Sequence, residues 1–154
     1  IDAVQAALGG RGTTFTVCRQ GQEVVPAAMA RLPELAVLDL QIGNMGGMAA
    51  CMALRLDESG GRIAHVPVLM LLDRKADVHL ARRSDAEGWL IKPLDPLRLR
   101  KAATTILEGG TYTEGVPAEP AAVAVAEPLP DDSAEDDVDP SSGESPAGEP
   151  ATTR

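Results

Sequence analysis

Leu35-Ala36-Val37-Leu38-Asp39-Leu40-Gln41-Ile42-Gly43-Asn44-Met45-Gly46-Gly47 is four apolar residues running into one carboxylate, with a glycine-rich turn directly behind. A short apolar run bounded by turn signals reads as a strand buried on both faces. Asp39 falls near its carboxyl end, the edge where open α/β sheets place ligands and chemistry. A carboxylate inside an apolar run is costly unless it is solvated, paired or bound to a metal. Asp39 therefore reads as functional rather than as a helix N-cap, because the helical pattern begins too late for a cap.

That helical pattern is Met45, Met48, Ala49, Met52 and Leu56, opened by Gly46-Gly47. It is expected to be plain core rather than a binding groove. Upstream, Ile1 to Leu8 reads as the end of a helix, Thr13 to Cys18 as a β-branched strand, and Gln22 to Arg31 as a helix with Pro26 in its first turn. Downstream, Val66 to Leu72 reads as a second buried strand, Arg74 to Ser84 as a weak helix, and Gly88 to Ile91 as a short strand closed by Lys92-Pro93. Asp95 and Pro96 cap and open a last helix, with a stripe of Leu99, Ala102, Ala103, Ile106 and Leu107, ended by Gly109-Gly110. Strands alternating with helices imply a parallel α/β sheet. The expected organisation is a domain over residues 1–110 and a Pro/Ala-rich acidic tail over 111–154, disordered for lack of large apolar residues.

The 154 residues are 44% apolar with a net charge of −9. Residues 1–108 hold 12 acidic and 13 basic side chains, so the acidity belongs to the tail. Nucleic-acid binding by that tail is disfavoured. Cys18 and Cys51 give neither a disulfide framework nor metal-ligand spacing, and read as buried thiols in a reducing, cytoplasmic setting. The run Val66 to Leu72 is too short to span a bilayer, and no secretory segment is visible.

Three features line up in order and spacing: Val37-Leu38-Asp39-Leu40 followed by Met45-Gly46-Gly47, the strand Val66 to Leu71, and Trp89-Leu90-Ile91-Lys92-Pro93-Leu94 before the last helix. Together they resemble the receiver domain of bacterial two-component response regulators, over roughly residues 1–108. The resemblance implies a flavodoxin-like three-layer α/β/α fold with sheet order 2-1-3-4-5. It implies Asp39 as the phosphoacceptor attacking a phosphohistidine, Lys92 as the partner of the incoming phosphoryl group, and Mg²⁺ held by Asp39 and the backbone carbonyl of Gln41. The family's Lys-Pro bond is usually cis. A receiver's first strand ends in an acidic pair that completes the metal site; that strand and pair are not in this chain, which reads as a truncation.

Other departures concern the switch. The family's switch Ser or Thr is Leu72, which cannot hydrogen-bond a phosphoryl oxygen. The next position, usually small, is Asp73, expected to crowd and repel phosphate. Trp89 stands where the family has a mobile Tyr or Phe, and its bulk is expected to hinder inward rotation. Gly43 replaces a usual Pro.

The resemblance implies a phosphorelay domain, not an enzyme, taking phosphate from a histidine kinase or phosphotransfer protein and signalling by protein contact. The alternative is a pseudo-receiver that binds partners without phosphate. A haloacid-dehalogenase-type phosphatase is disfavoured because its second Asp is Gln41 here. The expected surface for an output protein or homodimer spans Arg74–Arg83 and Arg98–Lys101. The acidic block Asp131 to Asp139 is read either as a weak, salt-sensitive shield over that surface or as a solvated tail.

Overall fold

Each of the five residues of the second strand is at most 5% exposed, because the sheet carries a helical layer on both faces. In this computed structural model the structure describes residues 1–10 and 12–115. The strands are β1 (Ala36–Asp39), β2 (Val68–Leu72), β3 (Gly88–Ile91) and β4 (Tyr112–Thr113), paired in that order and all parallel. The helices are α1 (Asp2–Leu8), α2 (Val24–Ala30), α3 (Gly47–Ser59), α4 (Val78–Arg83) and α5 (Pro96–Leu107).

The period-two alternation of a strand sorts β2 between two cores. Val68, Met70 and Leu72 pack with Ala28, Ala50, Leu54 and Ala81 of α2, α3 and α4. Leu69 and Leu71 pack on the other face with Ala7 of α1 and with Leu99, Ala102 and Ile106 of α5. The α5 start follows its sequence: Asp95 accepts from the Leu97 and Arg98 amides at 2.9 and 3.0 Å, with Pro96 as the first helical residue.

The amino ends of β2 and β3 are tied by a charged hub. The Arg55 guanidinium pairs with Glu58 and Glu87, Glu58 accepts from the Val66 amide, and Glu87 accepts from the Val68 amide. Loops that would otherwise leave buried backbone donors unpaired are thus satisfied by carboxylates.

Three expectations are corrected. Thr13 to Cys18 forms no strand: Thr13 to Val17 is exposed, and pairing in this region is confined to a single bridge between Gln20 and Gly43. A β-branched run is a strand only when a ladder partner is present; here the run and β1 both line a groove of about 1320 Å³. Of the stripe Met45, Met48, Ala49, Met52 and Leu56, Met48 packs against the core, whereas Met45, Met52 and Leu56 do not. These side chains are 37%, 49% and 65% exposed, while Gly47, Ala50, Cys51 and Leu54 supply the buried face of α3. With apolar residues on both sides, the helical period alone does not choose the phase. The boundary at residue 110 falls inside the fold, since β4 pairs with β3 and Glu114 reaches back to it. Gly88 admits β4, as a Cβ there would sit 2.5 Å from the Tyr112 carbonyl oxygen.

The three strands placed third, fourth and fifth from sequence are neighbours in that order. No strand among the described residues stands for the first two. The acidic block and the rest of 116–154 lie outside the described residues.

Candidate functional site

Parallel strands that start together also end together, so the residues that close β1, β2 and β3 meet at one edge. Asp39 is the last residue of β1, Asp73 follows β2 and Lys92 follows β3. The backbone ladder runs to that edge: the Leu40 amide donates to the Leu71 carbonyl at 2.9 Å and the Lys92 amide to the Leu72 carbonyl at 2.8 Å. Lys92 Nζ then lies 2.8 Å from Asp39 Oδ2 and 3.0 Å from Asp73 Oδ1. The other Asp39 oxygen, Oδ1, accepts from the Gln41 amide at 2.9 Å. The Lys92-Pro93 peptide is cis, as the resemblance implies.

Gly47 lets the first turn of α3 press on this strand end; a Cβ there would stand 2.4 Å from the Asp39 carbonyl oxygen. The Gly47 amide donates to the Leu40 carbonyl at 3.0 Å. The loop between the carboxylate and α3 is thereby held at both ends.

Partial burial works against the charge of Lys92, yet its hydrogen bonds and ion pairs with Asp39 and Asp73 outweigh that and hold its pKa above the ordinary lysine value. It is a fixed cation at neutral pH. Its side chain is 29% exposed, and those of Asp39 and Asp73 are 42% and 39% exposed. The edge is open to solvent, and its single ammonium is shared by two carboxylates.

Sequence reasoning singled out all three of these residues, and the structure brings them together. The side chains at the two expected switch positions are buried. Leu72 is fully buried in the core under α4. Trp89, expected to resist an inward position, is 5% exposed in the same cluster, and its Nε1 donates to the Glu114 carbonyl at 2.8 Å. The indole fits because its one polar atom finds an acceptor.

Glu114 was not legible as a structural residue. Its carboxylate accepts from the Ile91 amide and pairs with Arg98, whose guanidinium also reaches the Ile91 and Pro93 carbonyls. Nothing in a two-residue strand before a Pro-rich stretch signals such an anchor. Of the expected basic surface, Arg98 is engaged there, Arg74 pairs with Asp77, and Arg100 turns to the Ala7 carbonyl beside α1. Lys75, Arg82, Arg83 and Lys101 are exposed.

Neither free thiol joins the site. Burial pushes the Cys51 thiol up to about 11, and its Sγ donates to the Ser84 carbonyl at 3.1 Å. Among the described residues no three His, Cys, Asp or Glu side chains converge to hold a metal. Asp39 and Asp73 each bring a carboxylate with spare lone pairs to this edge, which suits an ion that keeps most of its waters, as Mg²⁺ does. The donor set fits Mg²⁺ in part: the carboxylates of Asp39 and Asp73 and the backbone carbonyl of Gln41, with water for the rest. Among the described residues no helix is long and apolar enough to cross a membrane.

A profile of the family described as "Response regulator receiver domain" matches residues 1–104. The chain is 32% identical over 94 residues to the DNA-binding response regulator MtrA of Mycobacterium tuberculosis, covering 60% of this chain and 39% of the relative. It is 30% identical over 122 residues to the transcriptional regulatory protein CseB of Streptomyces avermitilis, covering 78% of this chain and 49% of the relative. The chain thus spans half or less of the curated relatives it matches. Among solved structures, the receiver domain of NtrX from Brucella abortus superposes with a TM-score of 0.59 at 22% identity, covering 70% of this chain and 88% of that one. The chemotaxis protein CheY4 of Vibrio cholerae gives 0.56 at 22% identity, covering 67% and 85%. At such identity these two structures show the fold.

Proposed function

Because the chain belongs to the response regulator receiver domain family, we propose that it is a phosphoacceptor domain in which Asp39 takes a phosphoryl group from a histidine kinase or phosphotransfer protein. The observation that carries this reading is the 2.8 Å contact of Lys92 Nζ with Asp39 Oδ2, which joins residues 53 apart in sequence at the sheet edge. A carboxylate oxygen of Asp39 attacks phosphorus in line, the P–N bond to the donor imidazole breaks, and an acyl phosphate remains on Asp39. Lys92 then trades a carboxylate partner for a phosphoryl oxygen, a task suited to a point charge on a flexible stem. The Gln41 amide orients the carboxylate throughout. Bound Mg²⁺, held by Asp39 and the Gln41 carbonyl, would neutralise charge on the phosphoryl oxygens.

The product signals by protein contact in the cytoplasm, through exposed residues such as Lys75, Arg82, Arg83 and Lys101. DNA binding is in the name of the MtrA relative and belongs here only if a further domain accompanies this one. One observation favours a second reading, a receiver-like module that binds partners without phosphate. Asp73 pairs with Lys92 at 3.0 Å and adds negative charge where phosphate must enter.

The test is to incubate the protein with Mg²⁺ and a small acyl or phosphoramidate donor. The wild type is expected to gain one acid-labile phosphoryl group and Asp39→Asn none. Labelling of the Asn variant removes Asp39 as acceptor. Labelling of neither supports the phosphate-independent module.

A further inference from the structure

Lys92 stands past the point where the sheet holds its strand on both sides. β4 pairs with Gly88 and Trp89, so that ladder ends three residues short of the lysine. On the β2 side the Lys92 amide still donates to the Leu72 carbonyl at 2.8 Å. Backbone groups alternate in direction along a strand, so the Ile91 amide and carbonyl point the other way, where β4 has already ended its pairing. Backbone donors and acceptors inside a fold are costly to leave unpaired.

One ion pair takes the place of the next rung. The Ile91 amide donates to Glu114 Oε2 at 3.0 Å. Arg98 Nη2 donates to the Ile91 carbonyl and Nη1 to the Pro93 carbonyl, each at 3.3 Å. The two side chains are also joined to one another: Arg98 Nε donates to Glu114 Oε1 at 2.9 Å, and Nη2 pairs with Oε2. This is the two-pronged fork that a guanidinium forms with a carboxylate, and its geometry is fixed in a way a single charge is not. The residues immediately before and after Lys92 are thus gripped by the same pair.

A lysine stem is flexible, so where its ammonium falls depends on how firmly its backbone is held. Here the ammonium reaches across two strands to Asp39 at 2.8 Å and Asp73 at 3.0 Å. We infer that Arg98 and Glu114 are a positioning pair for Lys92, fixing the backbone on either side of it and so setting its ammonium against Asp39. The consequence for phosphoryl transfer rests on the phosphoacceptor reading; the placement of the ammonium does not. Both residues act through Lys92 rather than on the phosphoryl group. Arg98 comes from the first turn of α5 and Glu114 from just beyond β4. The segment that follows α5 is therefore part of the support of the site.

The test reads the ammonium itself, by 15N relaxation of the full chain labelled at its three lysines. In the wild type Lys92 Nζ is expected to be more ordered than the exposed Lys75 and Lys101. Glu114→Ala and Arg98→Gln are each expected to bring its order down towards that of Lys75 and Lys101. Glu58→Gln, which weakens the opposite edge of the sheet, is expected to leave it unchanged. With Mg²⁺ and a small phosphodonor, the two clamp variants are expected to lose about ten-fold or more in labelling rate, since a misplacement of about 1 Å can cost about 100-fold. Glu58→Gln should lose none. Circular dichroism identifies a variant that does not fold, and Arg98→Gln, which keeps a good helix former at an exposed position, decides the matter if Glu114→Ala unfolds. Lys92 order equal to wild type in a folded clamp variant overturns the inference. So does an equal loss of order in Glu58→Gln, which would make the effect one of stability. An unchanged labelling rate in folded clamp variants of a protein that labels overturns it as well. Labelling of no protein, wild type included, removes the phosphoacceptor reading, and the ammonium measurement then judges the clamp by itself.

Discussion

Asp73 Oδ1 stands 3.0 Å from Lys92 Nζ, nearly as close as the 2.8 Å contact that ammonium makes with Asp39. The two carboxylates divide one cation between them. Under the proposed phosphoacceptor reading, Asp73, one of the departures from the family pattern, is thus the residue that competes for Lys92.

Removing that competitor tests its cost. Asp73→Ala leaves Lys92 with Asp39 as its single carboxylate partner and removes a negative charge from the approach. Exposed ion pairs contribute about 0.2–1 kcal/mol, so the initial rate of phosphorylation by a small donor is expected to rise up to about five-fold. Mobility-shift gels of the phosphorylated form measure it. An unchanged rate in a protein that does label would mean Asp73 leaves the site when phosphate arrives.

Restoring a hydroxyl at Leu72 is expected to harm rather than help. Leu72 is fully buried against α4, so Leu72→Thr shrinks a packed side chain and buries a hydroxyl. Each effect costs about 1–3 kcal/mol, and the urea midpoint should fall accordingly, followed by the fluorescence of Trp89. A midpoint equal to wild type would show that the position opens to the site. Sequence spacing aligned Leu72 with the family's switch, but depth in the core is not written in spacing.

The carboxylate, the lysine and the strand ends that carry them were legible because each rests on local pattern: apolar runs, a following turn, a Pro after the Lys. Their order along the chain then fixed which edge they share. The phase of α3 was not legible, because Met and Leu lie on one side and Ala, Cys and Leu on the other, and only the sheet decides which side is covered. Thr13 to Cys18 misled for the same reason, since β-propensity describes a fit to neighbours that this run does not have. Glu114 was invisible because its role depends on its fit to three separate partners, Trp89, Ile91 and Arg98.

The hub at the opposite edge sets a pH dependence. Burial raises the pKa of Glu58, but hydrogen bonds from the Val66 amide and His65, with the Arg55 charge, outweigh it and hold the pKa below the ordinary value. A depressed carboxylate contributes stability that is fully present above its unfolded pKa, about 4.3. That stability is lost as pH falls through the lower folded value. Unfolding midpoints of the wild type are expected to drop over that acid range. Glu58→Gln is expected to start lower at neutral pH and to change less below about pH 4. Parallel pH profiles for the two proteins would assign the acid loss to other groups.

The contacts of Glu114 place it within the fold. Its backbone carbonyl takes the only indole N–H of the protein, and its carboxylate caps the Ile91 amide and pairs with Arg98 of α5. Ending the chain after residue 110 removes β4 and leaves Trp89 Nε1 and the Ile91 amide, both in the half-buried interior, without these acceptors. Each lost partner of a buried donor costs about 1–3 kcal/mol, a large fraction of the stability of a small domain. Ending it after residue 115 keeps every one of these contacts. The shorter protein is therefore expected to lose several kcal/mol in urea unfolding and to show red-shifted Trp89 emission as the indole meets water. The longer one should keep wild-type emission. Glu114→Gln in the full chain separates the parts: the carbonyl still accepts from Trp89, so emission should hold while stability falls by about 1–3 kcal/mol with the loss of the Arg98 ion pair. Equal stability for the two truncated proteins would return the boundary to residue 110.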